Sequence, residues 1–174
     1  MTSSFSERLM GMSDEVWARH ANPLSVWTRV PVIAFLTVAL WSRYWIGSWA
    51  VPAVGLVVLW IWLNPRVFPR PSTLESWGTK GVLGERIWLA RSDRPIPMGF
   101  ARQAILGNSV AGMGGLLWLY GVVMLDPWAT GTGLGFTLLG KMWFLDRMVW
   151  LYETTAREAP ENLPPDPRTP SISL

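Results

Sequence analysis

NPRVFPRPSTLESWGTKGVLGERIWLARSDRPIPMGFAR, residues 64–102, is the polar middle of this chain, and an apolar region lies on each side of it. Each flank is long enough to cross a bilayer twice, so the middle has to join two membrane hairpins while staying at the surface. It carries Arg66, Arg70, Lys80, Arg86, Arg91, Arg94 and Arg102 against Glu75, Glu85 and Asp93. That basic excess assigns it to the cytoplasmic side, because basic loops are retained there during insertion.

The composition points the same way. Of 174 residues, 50% are hydrophobic and 16% charged, and the mean hydropathy is +0.24, more apolar than an ordinary soluble domain. Thirteen Trp against three Tyr suits a bilayer interface, where an indole keeps its ring in apolar surroundings and its N–H near headgroups. The absence of Cys excludes disulfides, thiolate metal sites and thiol catalysis. A net charge of +3 does not imply nucleic acid, since the basic residues sit between apolar runs and suit anionic lipid instead. No cleavable signal peptide is expected, because the first long apolar run begins only near Val30.

Residues 1–23 are polar, with Phe5, Leu9, Met10, Val16 and Trp17 irregularly spaced, which predicts a short interfacial helix. Ser13 followed by Asp14 and Glu15 supplies a helix start. Spans are expected at about 30–46 and 49–63, separated at Gly47 and Ser48 and stopped by Asn64 and Pro65. Arg43 is the one ionisable residue in this pair and is expected at an exposed outer turn. Trp41, Tyr44, Trp45 and Trp49 would form the outer aromatic belt, and Trp27, Trp60 and Trp62 the inner one.

Pro65, Pro69 and Pro71 are too dense for a helix and predict extended chain. Val82, Leu83 and Ile87 then recur near helical spacing with Glu85, Arg86 and Arg91 off that face, which predicts an amphipathic helix on the surface, ended by Pro95 and Pro97. Two more spans follow at 104–125 and 129–145, joined by Asp126, Pro127 and Trp128, the last helix running on to about residue 156. Gly107, Ala111 and Gly115, spaced by four, together with Gly131 and Gly135, predict close packing of these two helices. The expected fold is therefore an all-α membrane protein of four transmembrane helices, arranged as two antiparallel hairpins joined by a long cytoplasmic loop. Residues 1–159 would make one domain, and the proline-rich tail, 160–174, is expected to be disordered.

Candidate chemistry gathers at the cytoplasmic surface. Arg19, His20, Asn22 and Arg29 precede the first span, Asn64, Arg66 and Arg70 follow the second, and Lys80, Glu85 and Arg86 come next. If the first hairpin returns the chain to one surface, the first two groups meet there, and their guanidinium forks suit a phosphate, a carboxylate or a lipid headgroup. The same charges are also accounted for as topology determinants in contact with bulk anionic lipid. His20, the one His, is either an interfacial residue bonded to its surroundings or an axial ligand to haem or chlorin; no other cofactor and no metal is expected. Lys141, Asp146 and Arg147 fall at the end of the last span, where Asp146 and Arg147 can lie at the surface and Lys141 can snorkel; otherwise Asp146 turns inward to pair with Arg29 or Lys141.

WARHANPLSVWTRV (17–30), WLNPRVFPRP (62–71) and GTKGVLGERIWLARSDRPIP (78–97) resemble, in that order, signature segments of a small prokaryotic integral membrane family classed only as a domain of unknown function. The resemblance covers about 17–97 and implies a membrane architecture, with no activity, cofactor or catalytic residue attached.

Three functions remain open. With no nucleophile and base pair visible, the leading expectation is a noncatalytic accessory or structural subunit of a membrane assembly, its partners being the bilayer and other membrane subunits or a second copy. The others are a membrane enzyme or carrier acting on a headgroup through the Arg/His cluster, and a pigment- or haem-associated subunit. The expected location is the plasma (inner) membrane, multi-pass, with both termini cytoplasmic.

Overall fold

The computed structural model describes residues 13–169, so Phe5, Leu9 and Met10 and the last five residues lie outside it. Every regular element among the described residues is helical. The described residues separate into two compact units, one made of residues 13–28, 62–97 and 145–169, the other of 29–61 and 98–144.

In the first unit, α1 (Asp14–His20) starts where expected: the Ser13 hydroxyl accepts the Val16 N–H at 3.3 Å, and Asp14 and Glu15 occupy the positive end of the helix. Pro23 opens α2 (Pro23–Arg29), where its missing N–H costs nothing. The helix α6 (Trp77–Leu89) exists as its spacing predicts, but not on a surface. Gly78, Thr79, Gly81, Val82, Leu83, Gly84, Ile87 and Trp88 are all buried in it. The reason is its glycines, whose lack of Cβ lets neighbouring chain reach its backbone. A Cβ on Gly84 would stand 1.9 Å from the Met148 carbonyl oxygen, and one on Gly81 2.6 Å from Leu145 Cδ1. Val82 joins Trp17, Ala21 and Val26 in the core, with Leu89 and Leu145 packed on it. Trp27 and Trp77 stack at 5.6 Å.

The second unit carries α3 (Val32–Trp41), α4 (Arg43–Ile46), a 3₁₀ turn (Gly47–Trp49) and, from residue 50 to 61, the first part of α5 (Ala50–Val67). Gly47 has φ +56°, a backbone that side chains rarely adopt. The helix α5 continues through Pro65 to Val67, where extended chain is expected. A proline this near the end removes one of the last intrahelical bonds only, and the Asn64 side chain before it is anchored from both sides.

Next come α7 (Met98–Met124) and the first part of α8 (Pro127–Glu158). Leu125 takes φ +56°, and the Asp126 N–H closes the end of α7 on the Gly121 carbonyl at 2.9 Å. The Asp126 carboxylate then accepts from the N–H groups of Trp128 (2.9 Å) and Ala129 (3.0 Å), capping α8. Between them the two helices touch backbone to backbone. Added Cβ atoms would meet Phe144 and Gly140 from Gly107, Thr137 and Phe136 from Gly114, and Thr130 and Ala129 from Gly121. From α8, Gly133 faces Trp118 and Gly140 faces Ala111. Numbers rise along one helix as they fall along the other, in steps of three and four, which is the seam of an antiparallel pair. Gly107 and Ala111 lie in it. Gly115 only grazes it, at 3.9 Å from Thr137 Oγ1, and Gly131 and Gly135 have nothing within 4 Å.

Arg43 is half-buried and donates to the Val122 and Val123 carbonyls, the latter at 3.1 Å. It thereby satisfies carbonyls that the end of α7 leaves open. The Trp118 indole donates to Thr37 Oγ1 at 2.8 Å, tying α7 to α3.

Among the described residues, two helical stretches are long and apolar enough to cross a membrane: Pro23–Val67, 45 residues with mean hydropathy 1.9, and Met98–Met124, 27 residues with mean hydropathy 1.3.

Candidate functional site

Arg19, His20, Asn64, Arg66, Arg70, Lys80, Glu85 and Arg86 all lie in the first unit. Arg19 donates to the Arg66 carbonyl at 3.1 Å, Asn22 to the Pro69 carbonyl at 3.0 Å, and Ser25 to Asn64 Oδ1 at 2.9 Å, so residues 19–25 and 64–69 meet. Thr79 donates to the Ala21 carbonyl at 2.8 Å and brings α6 in. Arg29 falls in the other unit.

What surrounds these cations decides their chemistry. Arg19 Nε lies 2.9 Å from Glu15 Oε1, and Arg70 reaches the other oxygen of the same carboxylate. Arg86 pairs with Asp14 at 2.6 Å and its guanidinium sits 5.7 Å from the Trp17 ring. Lys80 bonds Glu153 at 3.0 Å and approaches Glu75 at 3.4 Å. Arg66 donates to the Trp62 carbonyl and stacks on that indole at 4.2 Å. Hydrogen bonds from Arg70 and then Arg19 hold the Glu15 carboxyl below its usual range, and Glu153 raises Lys80. Both therefore stay ionised at neutral pH. The acids that complete these pairs, Asp14, Glu15 and Glu153, were not among the predicted site residues. His20 is buried with its ring edge-on to Trp17 at 5.5 Å. Glu85 is half-buried on α6. No group of three His, Cys, Asp or Glu side chains able to hold a metal occurs among the described residues.

The tail also contributes. Arg70 donates to the Thr169 carbonyl, and Asp166 pairs with Arg168 at 2.6 Å, which lowers the Asp166 carboxyl. Pro165, Asp166 and Thr169 line a cleft of about 240 Å³ with Asp14, Arg70 and Arg86. Its acids match its bases, so it does not offer a surplus of positive charge to an anion. Asp146, at the end of the expected last span, pairs with its neighbour Arg147.

These are ion pairs with at least one well-exposed partner, so water screens them and each adds little stability. The uncharged Asn64 site is expected to contribute more. Asn64 is fully buried, accepts from Ser25, and donates to Thr28 Oγ1 at 2.7 Å. Asn64→Ala removes both bonds and opens a cavity, at a cost of about 2 kcal/mol or more, against less than about 1 kcal/mol for Arg86→Gln. Thermal unfolding of the two variants in detergent checks the order, and an Asn64→Ala protein as stable as the wild type would refute it.

A family model of unknown function matches residues 3–170. The chain belongs to the DUF6653 family. The DUF6653 match runs past 17–97, through α7, α8 and most of the tail, so parts of the chain outside the segments that carry the resemblance also belong to the family's common pattern. No curated protein and no solved structure matches the chain.

Proposed function

We propose that this DUF6653 protein is a noncatalytic accessory or structural subunit of an assembly in the plasma (inner) membrane. It would cross the bilayer four times as two antiparallel hairpins, with residues 64–102 and both termini in the cytoplasm.

The observation that carries this reading is outward apolar surface on long helices. Only 6% of the most apolar window of Pro23–Val67 is buried, and 28% of that in Met98–Met124. A core helix of a soluble protein would be mostly covered, whereas Phe35, Val38, Trp45, Leu56, Leu116 and Leu119 are exposed here. Such a surface is stable only against lipid or apolar partners. The fourth crossing draws support from the seam. Thr130, Gly133, Thr137 and Gly140 lower the hydropathy of α8 but turn toward α7, leaving Trp128, Phe136, Leu139 and Trp143 outside.

The noncatalytic part rests on the cluster described above, whose principal cations end on this chain's own carboxylates and carbonyls. A group consumed by the fold is not poised for proton transfer or for substrate. The test is native mass spectrometry with an absorption spectrum on material gently extracted from its own membrane. Membrane proteins copurifying in a fixed ratio are the expected result. A chain that sediments with no membrane, or runs alone while turning over a headgroup substrate, overturns it; a Soret or chlorin band would move attention to His20.

A further inference from the structure

Resting on the bilayer reading above, we propose that a cleft in the first unit binds a phosphoethanolamine headgroup, a phosphate carrying a primary ammonium on a short tether. The cleft measures about 210 Å³ and lies between α6, the 90–97 segment and the end of α8. Ile87, Leu151 and Pro95 give it apolar walls, and Arg94, Thr154 and Glu158 give it polar ones.

Its charges differ from those of the Arg19, Arg70, Lys80 and Arg86 pairs. Among the described residues neither Arg94 nor Glu158 takes part in an ion pair. The one side-chain bond of Arg94 is to the Asn162 carbonyl at 3.4 Å, beyond the usual range for N–H···O. The Thr155 hydroxyl is spent on the Leu151 carbonyl at 2.8 Å. One cation and one anion that do not neutralise each other share a wall, which favours a dipolar ligand over a simple anion. The guanidinium takes the phosphate, the carboxylate takes the ammonium, and each bond is charge-assisted. The volume, below the ~300 Å³ common for small-molecule sites, admits a small headgroup without its acyl chains. The chain itself points to a lipid source. Pro97, on the cleft wall, is followed at once in sequence by Met98, the first residue of the apolar α7.

The full chain in nanodiscs of phosphatidylethanolamine, phosphatidylcholine and phosphatidylglycerol in equal parts, analysed by native mass spectrometry, tests this. Wild type should retain phosphatidylethanolamine preferentially. Arg94→Gln should reduce that retention by about tenfold or more, Glu158→Gln should abolish the preference over phosphatidylglycerol, and Arg91→Gln, outside the cleft, should behave as wild type. Soluble O-phosphoethanolamine added to wild type guards against a variant that fails to fold, and displacement of the lipid supports the site. Binding of the soluble compound without lipid retention overturns the lipid source, and equal retention of all three lipids with no soluble binding overturns the site altogether. A chain found outside bilayers that still binds O-phosphoethanolamine would overturn the membrane reading alone.

Discussion

Gly84→Ala should destabilise the first unit by about 2 kcal/mol or more, the larger part of its cost arising from a collision with backbone. The new Cβ would lie 1.9 Å from the Met148 carbonyl oxygen, 2.6 Å from its carbonyl carbon and 3.0 Å from its Cα. A side chain can change rotamer to make room, but a helical carbonyl cannot move without its helix. The two helices must therefore separate, which uncovers Val82, Leu83, Met148 and Leu151, each at most 2% exposed. Alanine's better helix propensity returns about 1 kcal/mol and does not reverse the sign. Gly81→Ala is the comparison: its Cβ meets the tip of the Leu145 side chain, a flexible neighbour, so its loss should be smaller. Unfolding of both variants by circular dichroism decides the matter; a Gly84→Ala protein melting at or above wild type would show that α6 and α8 do not approach as described.

The same glycines show where sequence reading stops. Features set by neighbours along the chain were legible: the Ser13 cap, the turn at Asp126 and Pro127, the apolar spacing of α6, and the run of α8 past Trp150. Features set by distant partners were not. The apolar spacing of α6 fits a surface helix and a buried one equally, and only its glycines, at 78, 81 and 84, signal that something presses on its backbone. Arg43 reads as an exposed turn residue because the carbonyls it bonds lie about eighty residues away, on Val122 and Val123. In the tail, where disorder was expected, Thr169 receives a bond from Arg70 that its own proline-rich neighbourhood does not announce. For the cluster, the meeting of Arg19 with Arg66 followed from chain return alone. Its neutralisation did not, since Glu15 and Glu153 come from separate segments and acquire meaning only once the basic residues are placed beside them.

The second large effect lies in the seam, where a pair of substitutions two residues apart separates packing from composition. Gly133→Ala puts a Cβ 2.2 Å from the Trp118 backbone nitrogen, 2.6 Å from its Cα and 2.8 Å from the Gly114 carbonyl oxygen, whereas Gly131→Ala meets nothing within 4 Å. Both changes add one methyl group to the same helix, so hydropathy and helix propensity alter equally. Gly133→Ala should cost about 2 kcal/mol or more, and Gly131→Ala should be neutral or stabilising by up to about 1 kcal/mol. The loss should also reach α3, because Trp118 is held there by its 2.8 Å bond to Thr37; a change in tryptophan fluorescence with Gly133→Ala alone would report it. Equal losses from the two variants would refute the seam. A spacing of four fits Gly131 with Gly135 as well as it fits a true contact face, and only the partner helix selects Gly133 and Gly140 instead. That leaves Gly131 and Gly135 exposed on the side of α8 away from α7. If Gly131→Ala leaves the isolated chain stable but lowers recovery of copurifying membrane proteins, the exposed face of α8 is where the proposed assembly packs.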